Sequence, residues 1–528
     1  ISPIQALELT LSRVDLQLER FPEESPHVDS GKSQAQRRND RAIVLNLTAG
    51  NRAKPNHKLV SLLVPSSEKI KPNEKVQHKI YQVPLEPEYL DDYIRLEMEG
   101  SRMQGYTRLV EFQNALCEGV LNSTEMLKEV KNFDLLLYDS PAGMCGVLVS
   151  ELLSIPRVQI QAHPNSPFGF DNMIPMPVSY VPGLFSGLTD EMTFMERIIN
   201  LLSYLLIKTF WIDLVYSSAM NDHKTKYKIK PGKSYQEAIG DAELVLIAAD
   251  FALEDAQPLL PGNRMVGPLN VRDTIKPLPR DLEEFVSNSG GHGFIIVSFG
   301  SQVSSLPSRE KVDMLATAFG KLKQLVVWRL KGILCFVRYI PPFLAKNIKV
   351  MDWLPQNDLL AHKDIKAFVS HVGHNSLYES AYHGVPLVCF PLFAEQHTNA
   401  KKVEHFGFGL AVHHDRTNAE ELYKTIELVE SEPRYYRQTA MHISSLLKDR
   451  PHTPLQEACD WIEHVLRHGG SKRVIPQVFN ISWYQYYLLD VITFLVALVT
   501  VIVVTMRLTC RYLYRMYCKR EGSKKKKK

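Results

Sequence analysis

Residues 365–396 read IKAFVSHVGHNSLYESAYHGVPLVCFPLFAEQ. The apolar run 365–371 stops at Val372-Gly373, a helical pattern follows, and a second apolar run resumes at 386–392. Continuous apolar strands that are joined by a helix are typical of a parallel sheet buried on both faces. The stretch therefore predicts one unit of a doubly wound α/β domain.

Further apolar runs of the same kind extend this pattern in two series. The first series comprises AIVLNLT (42–48), KLVSLLVP (58–65), DLLLYD (134–139), RVQIQA (157–162) and LVLIAA (244–249). The second adds FIIVSF (294–299), QLVVWRL (324–330) and IKVMDWL (348–354) to the stretch above. We predict an α/β protein with two doubly wound Rossmann-like domains that face each other across a cleft, where ligands of such sheets bind.

The predicted organisation has seven parts. They are an atypical, disordered N-terminus (1–40), an N-terminal Rossmann-like domain (41–257), a Pro-rich linker (258–281), a C-terminal Rossmann-like domain (282–450), a C-terminal helix with a juxtamembrane segment (451–487), a transmembrane helix (488–506) and a basic tail (507–528). Only the nine residues 49–57 separate the first two apolar runs. A parallel crossover needs ~10–12 residues, so we expect its helix to be truncated.

Charge and hydropathy near the C-terminus predict a membrane anchor. Residues 488–506 carry one charge, Asp490, and approach the ~20 residues that span a bilayer. From Arg507 onward ten basic residues face one acidic residue, whereas the rest of the chain has 52 Lys and Arg against 57 Asp and Glu. The positive-inside rule then makes the tail cytoplasmic and places the body across the membrane. An acidic body of this kind argues against nucleic-acid binding.

Smaller signals concern the cellular location. Lys525 and Lys526 resemble a dilysine signal for the endoplasmic reticulum, with a generic charge run as the alternative. Sequons at Asn46, Asn122 and Asn480 predict a glycoprotein. Residues 1–21 have no apolar signal core, so we expect an export signal outside this sequence.

Two features leave narrower questions. Seven cysteines without any CxxC pair argue against a zinc ribbon or a disulfide framework, and we predict that they are packing residues. The segment 196–216 is strongly apolar but interrupted by Arg197, Lys208 and Asp213. It is either an amphipathic helix that lies on the membrane or an ordinary buried helix.

The polar residues of the second series suggest a nucleotide site. Gly373 lets a phosphate approach the N-terminus of the following helix, where the dipole favours anions. Asn375, Ser376 and Glu379 share one face of that helix, so the carboxylate can accept hydrogen bonds from ribose hydroxyls. The remaining candidates are a stacking plane and an amide for a pyrimidine, at Trp353 and Gln356, and two sugar-binding residues, at Glu395 and Gln396.

These motifs, together with FGSQVSSLP (299–307), VVWRLKG (326–332) and WYQYYLLDVITFL (483–495), resemble the UDP-glycosyltransferase family. The similarity covers roughly residues 42–520, and the anchor resembles that of the animal microsomal, UDP-glucuronosyltransferase-like branch. The resemblance implies a GT-B fold, a lipophilic acceptor bound by the N-terminal domain and a UDP-sugar bound by the C-terminal domain. It implies that Trp353 stacks on uracil, Gln356 contacts the nucleoside and Glu379 holds the ribose. It also assigns the diphosphate to Ser301, His371, Asn375 and Ser376, and the sugar to Glu395 and Gln396.

The resemblance further implies inverting transfer without a metal or a cofactor other than the UDP-sugar co-substrate. In the family a His in a Ser-His-Trp element is the general base, and an Asp that matches Asp139 orients it. This chain has no match for that His. His57 fits a different family position, and His163 is a weak alternative. A catalytically impaired nucleotide-sugar-binding homologue is therefore the competing hypothesis.

Two departures concern the transferred sugar. Ala248 stands where glucuronosyl-transferring members have an Arg, so a neutral hexose is favoured over glucuronic acid. The usual Asp-Gln sugar pair reads Glu395-Gln396. The sequence decides neither the acceptor nor the oligomeric state, and a homo-oligomer is compatible with it.

Overall fold

The computed structural model describes residues 41–45, 59–65, 77–85, 89–139, 145–164, 176–183, 186–208, 215–300, 308–330, 339–342, 344–468, 477 and 481–525. The chain divides into two compact units, 1–475 and 476–528. The first unit contains both predicted series of strands.

The first series forms a seven-stranded parallel sheet in the order β3-β2-β1-β4-β5-β6-β7. Its strands are β1 (Arg41–Leu45), β2 (Leu59–Pro65), β3 (Gln77–Tyr81), β4 (Leu135–Asp139), β5 (Arg157–Gln161), β6 (Leu244–Ile247) and β7 (Asn263–Met265). β1 pairs in parallel with both β2 and β4, which makes it the point where the strand order reverses.

The second series forms a six-stranded parallel sheet in the order β10-β9-β8-β11-β12-β13. Its strands are β8 (Phe294–Ser298), β9 (Leu325–Arg329), β10 (Ile348–Met351), β11 (Ile365–Ser370), β12 (Leu387–Cys389) and β13 (Gly409–Ala411). Here β8 and β11 are the central neighbours, and the order reverses between them. The predicted pair of doubly wound sheets is confirmed.

Helices connect the strands and cover the sheets. In the first unit they are α1 (Tyr89–Met98), α2 (Arg102–Asn122), α3 (Thr124–Val130), α4 (Cys145–Leu153), α5 (Phe194–Leu205), α6 (Ser217–Lys226), α7 (Tyr235–Ile239), α8 (Arg280–Ser287), α9 (Arg309–Gly320), α10 (Gln356–Leu360), α11 (His374–Tyr382), α12 (Gln396–His405), α13 (Ala419–Ser431), α14 (Tyr436–Lys448) and α15 (Pro454–His468).

The second sheet is buried on both faces, as its continuous apolar strands predict. Alternate residues of β8 enter different cores, with Phe294 and Ile296 in one and Ile295 and Val297 in the other. Successive side chains of a strand point to opposite faces, so a strand between two layers of helices must be apolar throughout. All five residues of β8 are buried.

Helix α15 follows the second sheet in the chain but packs on the first. Ala458 and Val465 join the core that contains Leu135, Val158 and Leu246. The guanidinium of Arg264 also lies 4.5 Å from the ring centroid of Trp461. The C-terminal part of the first unit therefore ties the two sheets together.

Three short strands were missed by the sequence analysis. β3, β7 and β13 all lie at sheet edges, where one side of the strand has no neighbour and polar residues are tolerated. β7 lies inside the stretch that we predicted to be a linker, so the first sheet extends into 258–281. The predicted truncation of the first crossover falls on residues 46–58, outside the described part of the chain.

Two further predictions need correction. Cys117 and Cys145 form a disulfide bond, so these two are not simple packing residues. Their 28-residue separation hid the pair, because spacing alone does not reveal which cysteines meet. The buried-helix interpretation of 196–216 is also wrong for its described start, since Ile199, Leu202 and Leu206 are 50%, 60% and 59% exposed.

The second unit contains the short helix α16 (Trp483–Tyr486) and the long helix α17 (Leu489–Lys525). Within α17, Leu489–Met516 is long and apolar enough to cross a membrane by its length and composition. The helix begins one residue after the predicted start of the span at Leu488 and continues through most of the basic tail.

Candidate functional site

The turn between β11 and α11 forms the floor of the candidate site. Val372 has φ +54°, a left-handed conformation that is strained for a β-branched residue and costs about 1–3 kcal/mol. Its N–H donates to Ser370 Oγ at 3.0 Å and its carbonyl accepts from Asn399 Nδ2 at 2.9 Å. These bonds hold the turn in place, so that Gly373 becomes the N-cap of α11.

His371 lies in a cradle between two glycines. A Cβ at Gly300 or Gly373 would lie 2.5 or 2.7 Å from His371 Nε2, so a side chain at either position would collide with the ring. Gly300 also has φ +81°. Burial lowers the pKa of His371 well below its ordinary value, so the imidazole is neutral at pH 7. A diphosphate here would meet a neutral hydrogen-bonding ring and the N-terminus of a helix.

The predicted ribose and nucleoside residues are in direct contact. Gln356 Nε2 donates to Glu379 Oε2 at 2.7 Å and to Ser376 Oγ at 3.3 Å. Glu379 is 3% exposed, and its Oε1 accepts from Asn270 Nδ2 at 3.3 Å. Asn375 is buried beside them, and its Nδ2 has no hydrogen-bond partner among the described residues. A buried unpaired amide is costly unless a ligand accepts from it.

Trp353 follows β10 and remains 52% exposed, which is unusual for so large an apolar ring. The guanidinium of Arg329 lies 5.3 Å from its ring centroid. Burial lowers the pKa of Arg329 to about 10, so it still carries its charge at pH 7. Arg329 also donates to the carbonyl of Gly300, which belongs to the cradle of His371.

The two predicted sugar-binding residues differ in their surroundings. Gln396 begins α12 and is 1% exposed, and its Oε1 accepts from the backbone N–H groups of Leu392 and Phe393 at 2.8 and 3.2 Å. Its carbonyl thus fixes the loop after β12, and only its NH₂ group is left for a sugar. Burial raises the pKa of Glu395, and the nearby backbone N–H of His374 opposes this shift. Glu395 therefore points at the N-terminus of α11.

The first sheet supplies the opposite side of the cleft. Asp139 is the last residue of β4, paired in register with Ile160 of β5. Ala248 follows β6, and its carbonyl accepts from His374 Nε2 at 2.9 Å. His163 follows β5 and packs edge-on against His374, with ring centroids 4.4 Å apart. Ser301, His57 and the segment expected to hold the general base lie outside the described residues.

A cavity of about 390 Å³ opens beside Glu395. Met98 and Gly100, which follow β3 in the chain, line one part of it, and Phe393, Ala394 and His397, which follow β12, line another. Small-molecule sites have volumes of about 300–1,000 Å³ and mix apolar walls with a few polar groups. The cavity is suited to a small, partly apolar molecule.

Two residues of the site were missed by sequence reasoning. Asn270 lies in the predicted linker, yet it donates to Glu379 and to the carbonyl of Asn375. Arg329 lies in a quoted motif but received no role. A buried Arg at the end of an apolar strand was a usable signal for Arg329, whereas no local pattern pointed to Asn270.

Comparisons with known proteins agree with this geometry. The family model for UDP-glucuronosyl and UDP-glucosyl transferases matches residues 38–526. The chain is 37% identical to UDP-glucuronosyltransferase 2A2 of Mus musculus over 421 residues, which are 78% of this chain and 76% of that protein. It is also 37% identical to UDP-glucuronosyltransferase 2C1 of Oryctolagus cuniculus over 424 residues, 78% of this chain and 80% of the relative.

Solved structures support the fold. The kitacinnamycin glycotransferase aligns with a TM-score of 0.55 at 18% identity, covering 83% of this chain and 98% of its own. The calicheamicin glycosyltransferase CalG4 aligns with a TM-score of 0.52 at 16% identity, covering 82% and 100%. Both structures are similar to this chain in fold, and that fold is GT-B. With its family model and its relatives matched over most of its length, the chain belongs to the UDP-glucuronosyl and UDP-glucosyl transferase family and is a UDP-glycosyltransferase.

Proposed function

We propose that this enzyme transfers a hexosyl or glucuronosyl group, with inversion, from a UDP-sugar to a hydroxyl of a small lipophilic acceptor. One observation carries the proposal: Gln356, the first residue of α10, is hydrogen-bonded to Ser376 and Glu379 of α11. This arrangement places a buried carboxylate one helical turn from a diphosphate seat. Uracil would stack on the exposed ring of Trp353, and the ribose hydroxyls would donate to Glu379.

In the proposed reaction the acceptor oxygen attacks the anomeric carbon as the bond to the diphosphate breaks. The acceptor proton passes to a general base, and the electron pair of the broken bond leaves with UDP. The N-terminus of α11 and the ring of His371 stabilise the charge that develops on the diphosphate. Asp139 is our proposed orienting acid, and we assign no residue as the general base, because the sequence has no match for the His of the family's Ser-His-Trp element.

The donor sugar is proposed from the surroundings of Ala248. The relatives are named for glucuronosyl transfer, yet Ala248 offers no cation for a sugar carboxylate and uses its carbonyl to accept from His374. We therefore favour a neutral hexose such as glucose. The cavity beside Glu395 is the proposed acceptor site.

The location is proposed as the endoplasmic reticulum membrane, with a single span, a lumenal body and a cytoplasmic tail. The span in α17 and the basic residues after it support this orientation. The disulfide Cys117–Cys145 supports an oxidising compartment for the body. The exposed apolar residues of α5 supply a second surface suited to the membrane interface. A C-terminal epitope tag should be accessible to protease in sealed microsomes, whereas the body should be protected.

The second candidate is a catalytically impaired homologue, which the unmatched Ser-His-Trp element favours. Both hypotheses predict UDP binding, and only the first predicts turnover. Incubation of the purified chain with UDP-glucose, UDP-glucuronic acid and a panel of phenols tests them. Product from at least one combination of UDP-sugar and phenol excludes the impaired homologue. UDP binding with no product from all of the combinations would support it.

A further inference from the structure

A second cluster of polar side chains lies where the two sheets' domains meet. It consists of His163 after β5, Glu254 after β6 and His374 at the start of α11. Their ligand atoms all lie within 4.8 Å of one another, and the residues are 6%, 3% and 8% exposed. The proposed transfer reaction assigns no task to these three side chains.

The imidazole of His374 has its lone pair at a buried nitrogen, and the imidazole of His163 has a buried nitrogen that no described group bonds. His374 Nε2 contacts the carbonyl oxygen of Ala248 at 2.9 Å. A carbonyl can only accept, so Nε2 carries the proton and the lone pair of the neutral ring is on Nδ1. Burial lowers the pKa of His374 to about 4 and that of His163 well below its ordinary value. The Nδ1 atoms of both rings are buried and have no hydrogen-bond partner among the described residues.

The carboxylate of Glu254 is held by groups behind it. Tyr378 donates to Oε1 at 3.3 Å, and Lys402 Nζ pairs with Oε2. A carboxylate has about four lone-pair positions, so these partners leave room for a further ligand bond. Metal-binding histidines and carboxylates are commonly oriented in this way, by a backbone carbonyl or a hydrogen bond on the side away from the metal.

The charge around the cluster favours a divalent cation. Glu254 and Asp255 are consecutive, and Asp190 lies near Asp255 and His405 in an adjoining group. Lys402 pairs with Glu254, and Asp190 Oδ1 lies 3.7 Å from His405 Nε2, so Asp255 is a further carboxylate beside the cluster whose charge a divalent cation would help to balance.

We propose that His163, Glu254 and His374 form a binding site for a divalent transition metal, Zn²⁺ above others, that bridges the two domains. Two imidazole nitrogens and one carboxylate oxygen are a donor set that Zn²⁺ prefers, with a fourth position for water. Mg²⁺ and Ca²⁺ prefer oxygen ligands throughout. The site departs from the prediction, drawn from the sequence, that the chain holds no metal. A metal bound to these three residues would join the domain of the first sheet to the domain of the second.

Zinc binding by the full chain tests the site. The detergent-solubilised protein, stripped with a chelator, is titrated with Zn²⁺ against a chromophoric competitor. We expect one equivalent to bind, and His163→Ala and His374→Ala each to weaken binding by roughly 100-fold. His442→Ala, at an exposed histidine of α14, is the matched control and should leave affinity unchanged. Equal uptake by wild type and His163→Ala would overturn the proposal, as would no uptake by wild type.

Lys402→Met separates a metal site from a simple buried ion pair. Removing the ammonium relieves repulsion of the metal and frees Glu254 Oε2, so the affinity for Zn²⁺ should rise by roughly tenfold. If Lys402 is itself the cation that the cluster requires, the variant will lose thermal stability and gain no affinity, which contradicts the proposal. Any alanine variant without a cooperative unfolding transition is replaced by His163→Gln or His374→Gln, which keep a polar side chain but lack the imidazole.

Co²⁺ gives a readout that is independent of enzyme activity. Bound to two imidazoles and a carboxylate in tetrahedral geometry, it should produce visible d–d absorption without a thiolate charge-transfer band. That spectrum should disappear in His374→Ala. A thiolate band would instead assign the metal to a cysteine and exclude the proposed ligands.

Discussion

Replacing Glu379 by alanine should weaken UDP binding because of two lost hydrogen bonds to the ribose. The carboxylate is 3% exposed and already accepts from Gln356 Nε2 at 2.7 Å and Asn270 Nδ2 at 3.3 Å. A carboxylate has about four lone-pair positions, and we expect the 2′ and 3′ hydroxyls to donate to this one. The loss of UDP affinity in Glu379→Ala should therefore depend on the ribose hydroxyls and not on the base or the diphosphate.

The magnitude follows from the charge of the acceptor. A hydrogen bond to a charged group contributes about 1.5–3 kcal/mol, so the loss of two should cost at least about 3 kcal/mol. This corresponds to roughly 100-fold weaker binding. Glu379→Gln keeps the size of the side chain and one acceptor oxygen for Gln356 but removes the charge, and it should weaken binding by roughly tenfold.

Isothermal titration calorimetry with two nucleotides isolates the ribose contribution. Wild type should bind UDP at least roughly 100-fold more tightly than 2′,3′-dideoxy-UDP, and Glu379→Ala should bind the two with similar affinity. Glu379→Gln controls for loss of folding, because Gln356 keeps a partner. If folded Glu379→Ala weakened binding of both nucleotides equally, Glu379 would not contact the ribose.

Three further predictions concern the ring stack, acid stability and the disulfide. Trp353→Ala should weaken UDP binding by roughly 10–100-fold, because stacking on an aromatic ring contributes about 1–3 kcal/mol per base, and Trp353→Phe should retain most of the affinity. If calorimetry gave wild type and Trp353→Ala the same affinity for UDP, Trp353 would not belong to the site. Burial lowers the pKa of His383 to about 3, so the unfolded chain takes up a proton before the folded chain does as the pH falls. Thermal unfolding should therefore show that the protein loses about 2 kcal/mol of stability between pH 7 and pH 5, and His383→Gln should lack this loss. Cys117→Ser/Cys145→Ser should lower the free energy of unfolding by about 3–4 kcal/mol, the entropy expected for a loop of this length, and a reductant should then have no further effect in denaturant titrations.

The sequence was sufficient for the architecture because burial on both faces forces continuous apolar strands. It also placed Ser376 and Glu379 on one helix face through their spacing. The structure adds that Gln356 contacts both of them. The short edge strands β7 and β13 escaped because three residues give no periodicity.

Other features depended on contacts between segments that are distant in the chain. Asn270 and Glu379 are 109 residues apart, so no local pattern could connect them. The sequence assigned Gln396 to the sugar, and it could not show that the side-chain carbonyl also accepts from the backbone at Leu392 and Phe393. His163 and His374 meet only because the two domains pack together, and their shared cluster with Glu254 was likewise invisible in the sequence.

We propose that this chain binds a UDP-sugar in the second sheet's site and transfers the sugar with inversion. The anomeric configuration of the product tests this proposal, and proton NMR determines it for the product that the purified full chain forms from an α-linked UDP-hexose and a phenol. We expect a β-glycoside, with the large anomeric coupling of an axial proton, and strongly reduced product formation in Glu379→Ala. An α-glycoside, or UDP binding without any transfer across the panel of sugars and acceptors, would contradict it.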